Sequence, residues 1–304
     1  MFFIPLLVAA GLAGGGLWLY TPDEPRSVLV AEYAQPPSVF LTVAGIRLHV
    51  RDTGPRTAPA IIMLHGLGSS LHTWDAWAAR LSHHYRVIRY DLPGFGLTGP
   101  DPTGDYSEAR GLQVLGALMD SLGVRHASLI GNSMGGELAW EFAAAHPDRV
   151  DKLVLISPEG FASPMFAYNK PPDVPWVAKL LPYTLPTALL RMGLEPAYGD
   201  PSRLSDDVVR RYRDMILAPG VREALLARAA QVRLQPPEPM LRRIRAPTLL
   251  VWGEKDALIP YRNAGDYLAV MPNWRLLVFG DLGHVPMEEA PARSLAPVAM
   301  FLAQ

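Results

Sequence analysis

The sequence predicts an α/β protein: a mostly parallel, twisted sheet with helices on both faces and a helical cap inserted late in the sheet. Three observations predict it. Short apolar, β-branched runs alternate with amphipathic helical stretches from residue 60 onward, and parallel strands need such crossovers to join them. The alternation stops between residues 158 and 246, where prolines crowd in and only helical patterns survive. It resumes from residue 247 to the end. The expected organisation is therefore an N-terminal apolar segment over 1–26, a core built from 27–157 and 247–304, and a cap over 158–246.

The chain opens with "MFFIPLLVAAGLAGGGLWLY", which carries no charge and approaches the roughly 20 residues that a membrane helix needs. No basic residue precedes Arg26, and the glycines lie centrally rather than at a cleavage site, so a secretory peptide fits less well. Trp18 and Tyr20 suit a membrane interface. The expectation is an uncleaved N-terminal anchor, with membrane association through residues 2–20; the flanking charges are too few to fix its orientation, and a periplasmic or extracytoplasmic catalytic domain is one of the two placements. Secretion after signal cleavage is the alternative, and a buried helix ranks last.

A polar, proline-containing linker is expected up to about Pro37. "SVFLTVAGIRLHVRDTG" then alternates with period two on both sides of Ala44-Gly45, as a hairpin does. "AIIMLHG" reads as a buried strand, and "SSLHTWDAWAARL" as a helix capped by Ser70 or Thr73. "RVIRYD" is the next strand. The stretch after it, "YDLPGFGLTGP", contains G-x-G-x-x-G, but "PDPTGDYSE" follows where a phosphate-binding helix would have to begin. The stretch is read as a bend, not a nucleotide site. "SEARGLQVLGALMDSLG" is a helix closed by Gly123, "ASLIG" a strand, "GGELAWEFAAAHP" a helix and "VDKLVLIS" a strand. "PTLLVWG" and "WRLLVFG" supply the last two strands, and "APVAMFLAQ" closes the chain as a helix.

Composition narrows the chemistry. In 304 residues the net charge is −1 with no basic run, so there is no electrostatic footprint for nucleic acid. There is no cysteine, which excludes disulfides, thiolate metal sites and a cysteine nucleophile. No metal or organic cofactor is expected.

The strand "ASLIG" runs into the following helix through Gly131-Asn132-Ser133-Met134-Gly135, a G-x-S-x-G in the strand-turn-helix setting that this motif requires. A serine that merely caps a helix is the plainer reading of the turn alone, so its partners decide. A serine hydroxyl needs a base to take its proton and an acid to hold that base. Of eight histidines, His284 lies just past the last strand, at the sheet edge where sites assemble. His65 is expected to hold loop backbone instead. Asp256 follows the strand "LLVWG" and is the expected acid. Glu159, after "VLIS", is the better rival, and Asp281 looks like a turn carboxylate. The oxyanion donors would be the backbone N–H groups of Met134 and Leu67. In the cap, Phe161, Phe166, Trp176 and Leu181 are candidates for the lining of an apolar substrate pocket.

With "HGLG", "DLPGFGLT", "GNSMGG", "GEKDALIP" and "GHVPMEEAP" in this order, the chain resembles the α/β-hydrolase family from about Ser38 to Gln304. The resemblance implies that the "DLPGFGLT" loop shapes the surroundings of the site and binds no nucleotide. It implies a hydrolase with Ser133, Asp256 and His284 as its triad. Dehalogenase and epoxide-hydrolase relatives carry aspartate where Ser133 stands. Carbon–carbon hydrolases of ring-cleavage products share the serine but usually carry tryptophan where this chain has Val285. The leading expectation is a serine hydrolase of small-molecule carboxylic esters with apolar acyl groups, lipase- or monoacylglycerol-esterase-like. The alternatives are a carbon–carbon bond hydrolase or perhydrolase of the same fold and, in a different class, a non-catalytic receptor for a small ligand.

Overall fold

The computed structural model describes residues 20–163, 167–172, 174 and 176–304. The expected anchor over residues 2–20 falls outside them except for Tyr20, and so does Phe166. Among the described residues no helix is long and apolar enough to cross a membrane.

Eight strands form one sheet: β1 (Ser38–Val43), β2 (Ile46–Thr53), β3 (Ala60–Leu64), β4 (Arg86–Tyr90), β5 (Ala127–Asn132), β6 (Val150–Ile156), β7 (Thr248–Gly253) and β8 (Trp274–Phe279). Their order is β1-β2-β4-β3-β5-β6-β7-β8. β2 pairs antiparallel with both β1 and β4, and every other pairing is parallel. The helices are α1 (Arg26–Tyr33), α2 (Asp75–Leu81), α3 (Glu108–Ser121), α4 (Met134–Ala145), α5 (Thr187–Leu194), α6 (Asp206–Ile216), α7 (Val221–Gln231), α8 (Glu238–Leu241), α9 (Asn263–Val270), α10 (Pro286–Glu289) and α11 (Pro291–Ala303).

Successive residues of a strand point to opposite faces, and two cores follow from that. Ile62 and Leu64 of β3 join Leu115 and Leu118 of α3 and Phe142 of α4 on one face. Ile61 and Met63 join Trp77 of α2 and Val298 and Phe301 of α11 on the other. Both faces being covered, the central strands have no polar side, which is why "AIIML" and "TLLVWG" read as unbroken apolar runs.

Between β6 and β7 the described residues hold helical elements, α5 to α8 and short 3₁₀ turns, and no strand. One helix was not legible. The linker expected up to Pro37 contains α1, which buries Leu29 against Leu97, Met215 and Val221. "YDLPGFGLTGP" is a bend, in agreement with the sequence: Phe95 and Gly99 bridge each other, and no helix begins until Glu108.

The tightest point of the fold lies where β5 turns into α4. A Cβ on Gly131 would stand 2.1 Å from the Gly135 carbonyl oxygen, and one on Gly135 would stand 2.3 Å from that of Leu64. Both contacts are with backbone, which has nowhere to go. Gly131→Ala should therefore destabilise the protein by about 4 kcal/mol or more, the range reached when a packed backbone must move. Gly265→Ala, a helical position with no atom within 4 Å of the added carbon, should be neutral or stabilising by up to about 1 kcal/mol. Denaturant midpoints of the two variants check this, and equal losses would contradict it.

Candidate active site

Ser133 stands at the turn with φ 55 and ψ −123, a conformation that non-glycine residues rarely hold. It is held from several sides. Its N–H donates to Ile156 O at 3.0 Å, and its carbonyl accepts from Gly136 and Glu137 at the start of α4. The β3 loop closes over it, so that a Cβ on Gly66 would lie 3.2 Å from Ser133 Cβ.

His284 lies in the loop after β8. Its Nδ1 donates to Asp256 Oδ2 at 2.7 Å, which fixes the tautomer and leaves Nε2 as the ring's acceptor. Asp256 Oδ1 accepts the N–H groups of Leu258 and Ile259, each at 2.9 Å. The carboxylate is thereby aimed before the histidine meets it. Asn132 Nδ2 donates to both Ile156 O and His284 O, joining the serine turn to the histidine loop. Ser133, Asp256 and His284 are all buried.

The two rival acids separate clearly. Asp281 is an exposed surface partner of Arg293, whose Nη1 donates to it at 2.8 Å. Glu159 is buried, and the Ser133 hydroxyl donates to its Oε1 at 3.3 Å rather than to His284. Glu159 thus touches the serine and leaves the histidine to Asp256. Burial, the largest cause, raises the Glu159 pKa against the pull of Arg228 and His284. Burial works against the His284 imidazolium, but the Asp256 charge, its hydrogen bond and then Glu159 outweigh it, so this pKa is raised.

The backbone N–H groups of Leu67 and Met134 make no hydrogen bond among the described residues. Leu67 and Met134 lie on the two segments that meet at Ser133 and, with Glu159, line a cavity of about 690 Å³. Of the cap candidates, Leu181 lines this cavity and two do not. Phe161 packs edge-on against Tyr267, with ring centroids 4.8 Å apart, as part of the core, and Trp176 is 73% exposed on the surface. An apolar side chain can face a core, a cavity or solvent, and helical patterning alone does not say which. Lys170, Leu225 and Arg228 line the cavity and were not singled out in the sequence.

The "DLPGFGLT" loop is organised by Asp91, whose carboxylate accepts from His49 Nδ1 and from the N–H groups of Leu71 and Leu97, each at 2.8 Å. Burial would raise its pKa, but His49 beside it holds it well below the usual carboxylate range. A Cβ on Gly96 would stand 2.5 Å from Asp91 Oδ2, so this glycine makes room for a carboxylate of its own chain. His65 accepts the Leu92 N–H at Nε2 and donates from Nδ1 to Gly66 O. Both of its nitrogens are spent on loop backbone.

An eight-stranded sheet of this order, a serine on the strained turn after β5, and an acid and a histidine after β7 and β8 define a class of protein. The family described as alpha/beta hydrolase fold matches residues 59–291, and the chain belongs to it. It is 31% identical over 263 residues to a 2-hydroxy-6-oxononadienedioate/2-hydroxy-6-oxononatrienedioate hydrolase of Comamonas testosteroni, covering 81% of this chain and 90% of that one. The structure resembles the meta-cleavage product hydrolase CumD of Pseudomonas fluorescens, with a TM-score of 0.76 and 26% identity over 87% of this chain and 97% of that one. A bacterial membrane phospholipase A shares the fold at 23% identity, with a TM-score of 0.76 over 99% of this chain and 97% of that one.

Because an anion beside an imidazolium stabilises it, removing one must lower the pKa. Asp256→Asn should drop the His284 pKa below the ordinary value of about 6.5, since burial is then opposed only by the weaker Glu159. Glu159→Gln should lower it less. An NMR titration of the His284 ring in the three proteins checks the order, and a larger drop in Glu159→Gln would reverse the assignment of the two acids.

Proposed function

We propose that the chain is a serine-dependent hydrolase that opens its substrate at a carbonyl carbon through an acyl-enzyme. What supports this is a His284 held by Asp256 and tied through Asn132 to the turn that carries Ser133, with two backbone N–H groups nearby that make no hydrogen bond among the described residues. His284 Nε2 takes the Ser133 proton as Oγ bonds to the carbonyl carbon, and the Leu67 and Met134 N–H groups hold the oxygen that receives the electron pair. Collapse of the adduct expels the leaving group, which takes the proton back from His284. Water then repeats the sequence on the acyl-enzyme and frees Ser133. Asp256 holds the ring and stabilises the imidazolium.

The hydrolases of Comamonas testosteroni and Pseudomonas fluorescens support a carbon–carbon bond as the one that breaks, the leaving group being a stabilised enolate that is protonated as it departs. This is the reading we adopt in place of the ester-first expectation. Lys170 and Arg228 in the cavity lining are the cations that would receive the carboxylates of a 2-hydroxy-6-oxo-dienedioate-type substrate. A second reading, a carboxylic ester with an apolar acyl group, rests on two observations. Val285 stands where the carbon–carbon hydrolases usually carry tryptophan, and most of the remaining cavity wall is apolar, with Met134, Val174, Leu181 and Leu225 among its side chains.

Assaying a 2-hydroxy-6-oxo-dienoate and a series of acyl esters on one preparation separates the two. Carbon–carbon cleavage should exceed ester turnover in kcat/KM. If instead kcat/KM climbs from acetyl to octanoyl esters, close to fourfold for each methylene at about 0.8 kcal/mol, while the diketone is untouched, the ester reading replaces it. Ser133→Ala and His284→Ala should each abolish turnover, and Asp256→Asn should lower kcat by about 10³- to 10⁴-fold. An intact protein that turns over neither class and takes no label from a fluorophosphonate would be a ligand-binding relative, and the hydrolase proposal would fall.

A further inference from the structure

Seven of the thirteen large apolar side chains that stand exposed among the described residues fall between residues 174 and 192. Trp176 is 73% exposed, Tyr183 63%, Met192 63% and Leu189 62%, with Val177 and Leu180 about half exposed. The same elements do bury apolar groups where they need to: Leu190 packs inward from α5, and Leu181 packs beside Leu185 and Leu217. The exposed set is therefore surplus to the packing of these helices. Scattered surface apolar residues are ordinary, whereas a run of this density on one segment marks a surface that meets something apolar.

Three further observations say what it meets. The described chain begins beside the patch, where the Thr21 N–H donates to Tyr183 O at 2.9 Å and the Leu185 N–H donates to Thr21 Oγ1. Asp23, two residues on, is clamped by Arg222, whose guanidinium also holds Thr21 O and Leu181 O. Residues 1–19, which contain no charged side chain, thus connect to the fold at this face. Finally, residues 174–192 include no acidic residue and two basic ones, Lys179 and Arg191. Arg191 is paired with the exposed Asp206 from outside the segment, and a surface of tryptophan, tyrosine and aliphatic side chains with Lys179 among them is suited to the headgroup region of a bilayer.

We propose that the face formed by Trp176–Leu180, Tyr183 and α5 docks on a lipid bilayer, the uncharged N-terminal segment entering the same membrane beside it. Ala178 of the docked turn and Val174 and Leu181 on either side of it line the cavity that reaches Met134 and Glu159. The cavity wall and the membrane-facing surface are thus two sides of one segment. Docking of this face is independent of which bond the enzyme cleaves.

The chain has no cysteine, so single labels can be placed cleanly on the full-length protein. Leu180→Cys and Leu189→Cys, with Trp274→Cys and Met300→Cys as exposed controls elsewhere, would each carry an environment-sensitive nitrobenzoxadiazole dye. The proteins are mixed with phosphatidylcholine–phosphatidylglycerol vesicles, with and without a nitroxide on the acyl chains. Emission from 180 and 189 should shift to the blue and be quenched at least twofold by the nitroxide, while 274 and 300 stay solvent-like. Vesicle-bound protein whose 180 and 189 labels remain solvent-like would overturn the proposal, leaving the N-terminal segment as the sole contact. A blue shift that needs no vesicles and grows with protein concentration would overturn it too, in favour of a second copy of the chain. Failure to float with vesicles would end it outright. None of these outcomes alters the turnover measurements that test the hydrolase reading.

Discussion

The whole site depends on how closely two pieces of backbone can approach. β5 must pass directly into α4, and α4 must lie against the end of β3, with carbonyl oxygens where side chains would otherwise be. Only glycine at 131 and 135 permits it. The strain this places on Ser133 is held by the Ile156 carbonyl on one side and the first turn of α4 on the other. From that single turn follow the position of Ser133 at the end of β5 and the nearness of the β3 loop. The free N–H of Met134 follows as well, because the first residue of a helix has no partner for its own amide.

Around this rigid point the structure arranges charge by burial. Four carboxylates near the site have raised pKa values: Glu159, Glu108, Glu137, pushed up to about 8, and Glu141, pushed up to about 10. Burial is the first cause for each, and Arg228 opposes it in all four. Asp91 goes the other way, lowered by the His49 ring beside it, and its carboxylate also accepts backbone amides. Burial thus disfavours charge on the four glutamates, and converging donors favour it on Asp91. Glu159 accepts the Ser133 hydroxyl, whereas Asp256 accepts the His284 ring and two backbone amides, which is a physical reason for the histidine to lean on Asp256.

Much of this was legible because parallel sheets place their sites after strand ends, and strand ends can be read from apolar runs. Ser133, Asp256 and His284 each come within a few residues of such a run; the structure joins His284 to Asp256 and, through Asn132, ties the His284 backbone to the serine turn. The G-x-G-x-x-G stretch could be set aside on two prolines alone. Other features have no one-dimensional signature. α1 hides in a polar, proline-flanked segment because only one of its residues, Leu29, is buried. Glu159 was visible as a rival acid, but its hydrogen bond to the serine depends on how β6 leaves the sheet. Phe161 and Trp176 look alike as apolar cap residues, yet one faces the core and the other faces out, a choice made by tertiary packing.

Asn132 ties together two carbonyls that the chain makes far apart in time. Its amide reaches Ile156 close by and His284 at a separation of 152 residues. The strained turn, the β3 loop and the cavity walls are all synthesised before the histidine that would put them to use. A nascent chain that stops short of β8 could form most of the sheet and yet present a serine with no base beside it. The last strand to join the sheet's edge is thus also the one that delivers His284 to Asp256 and Asn132.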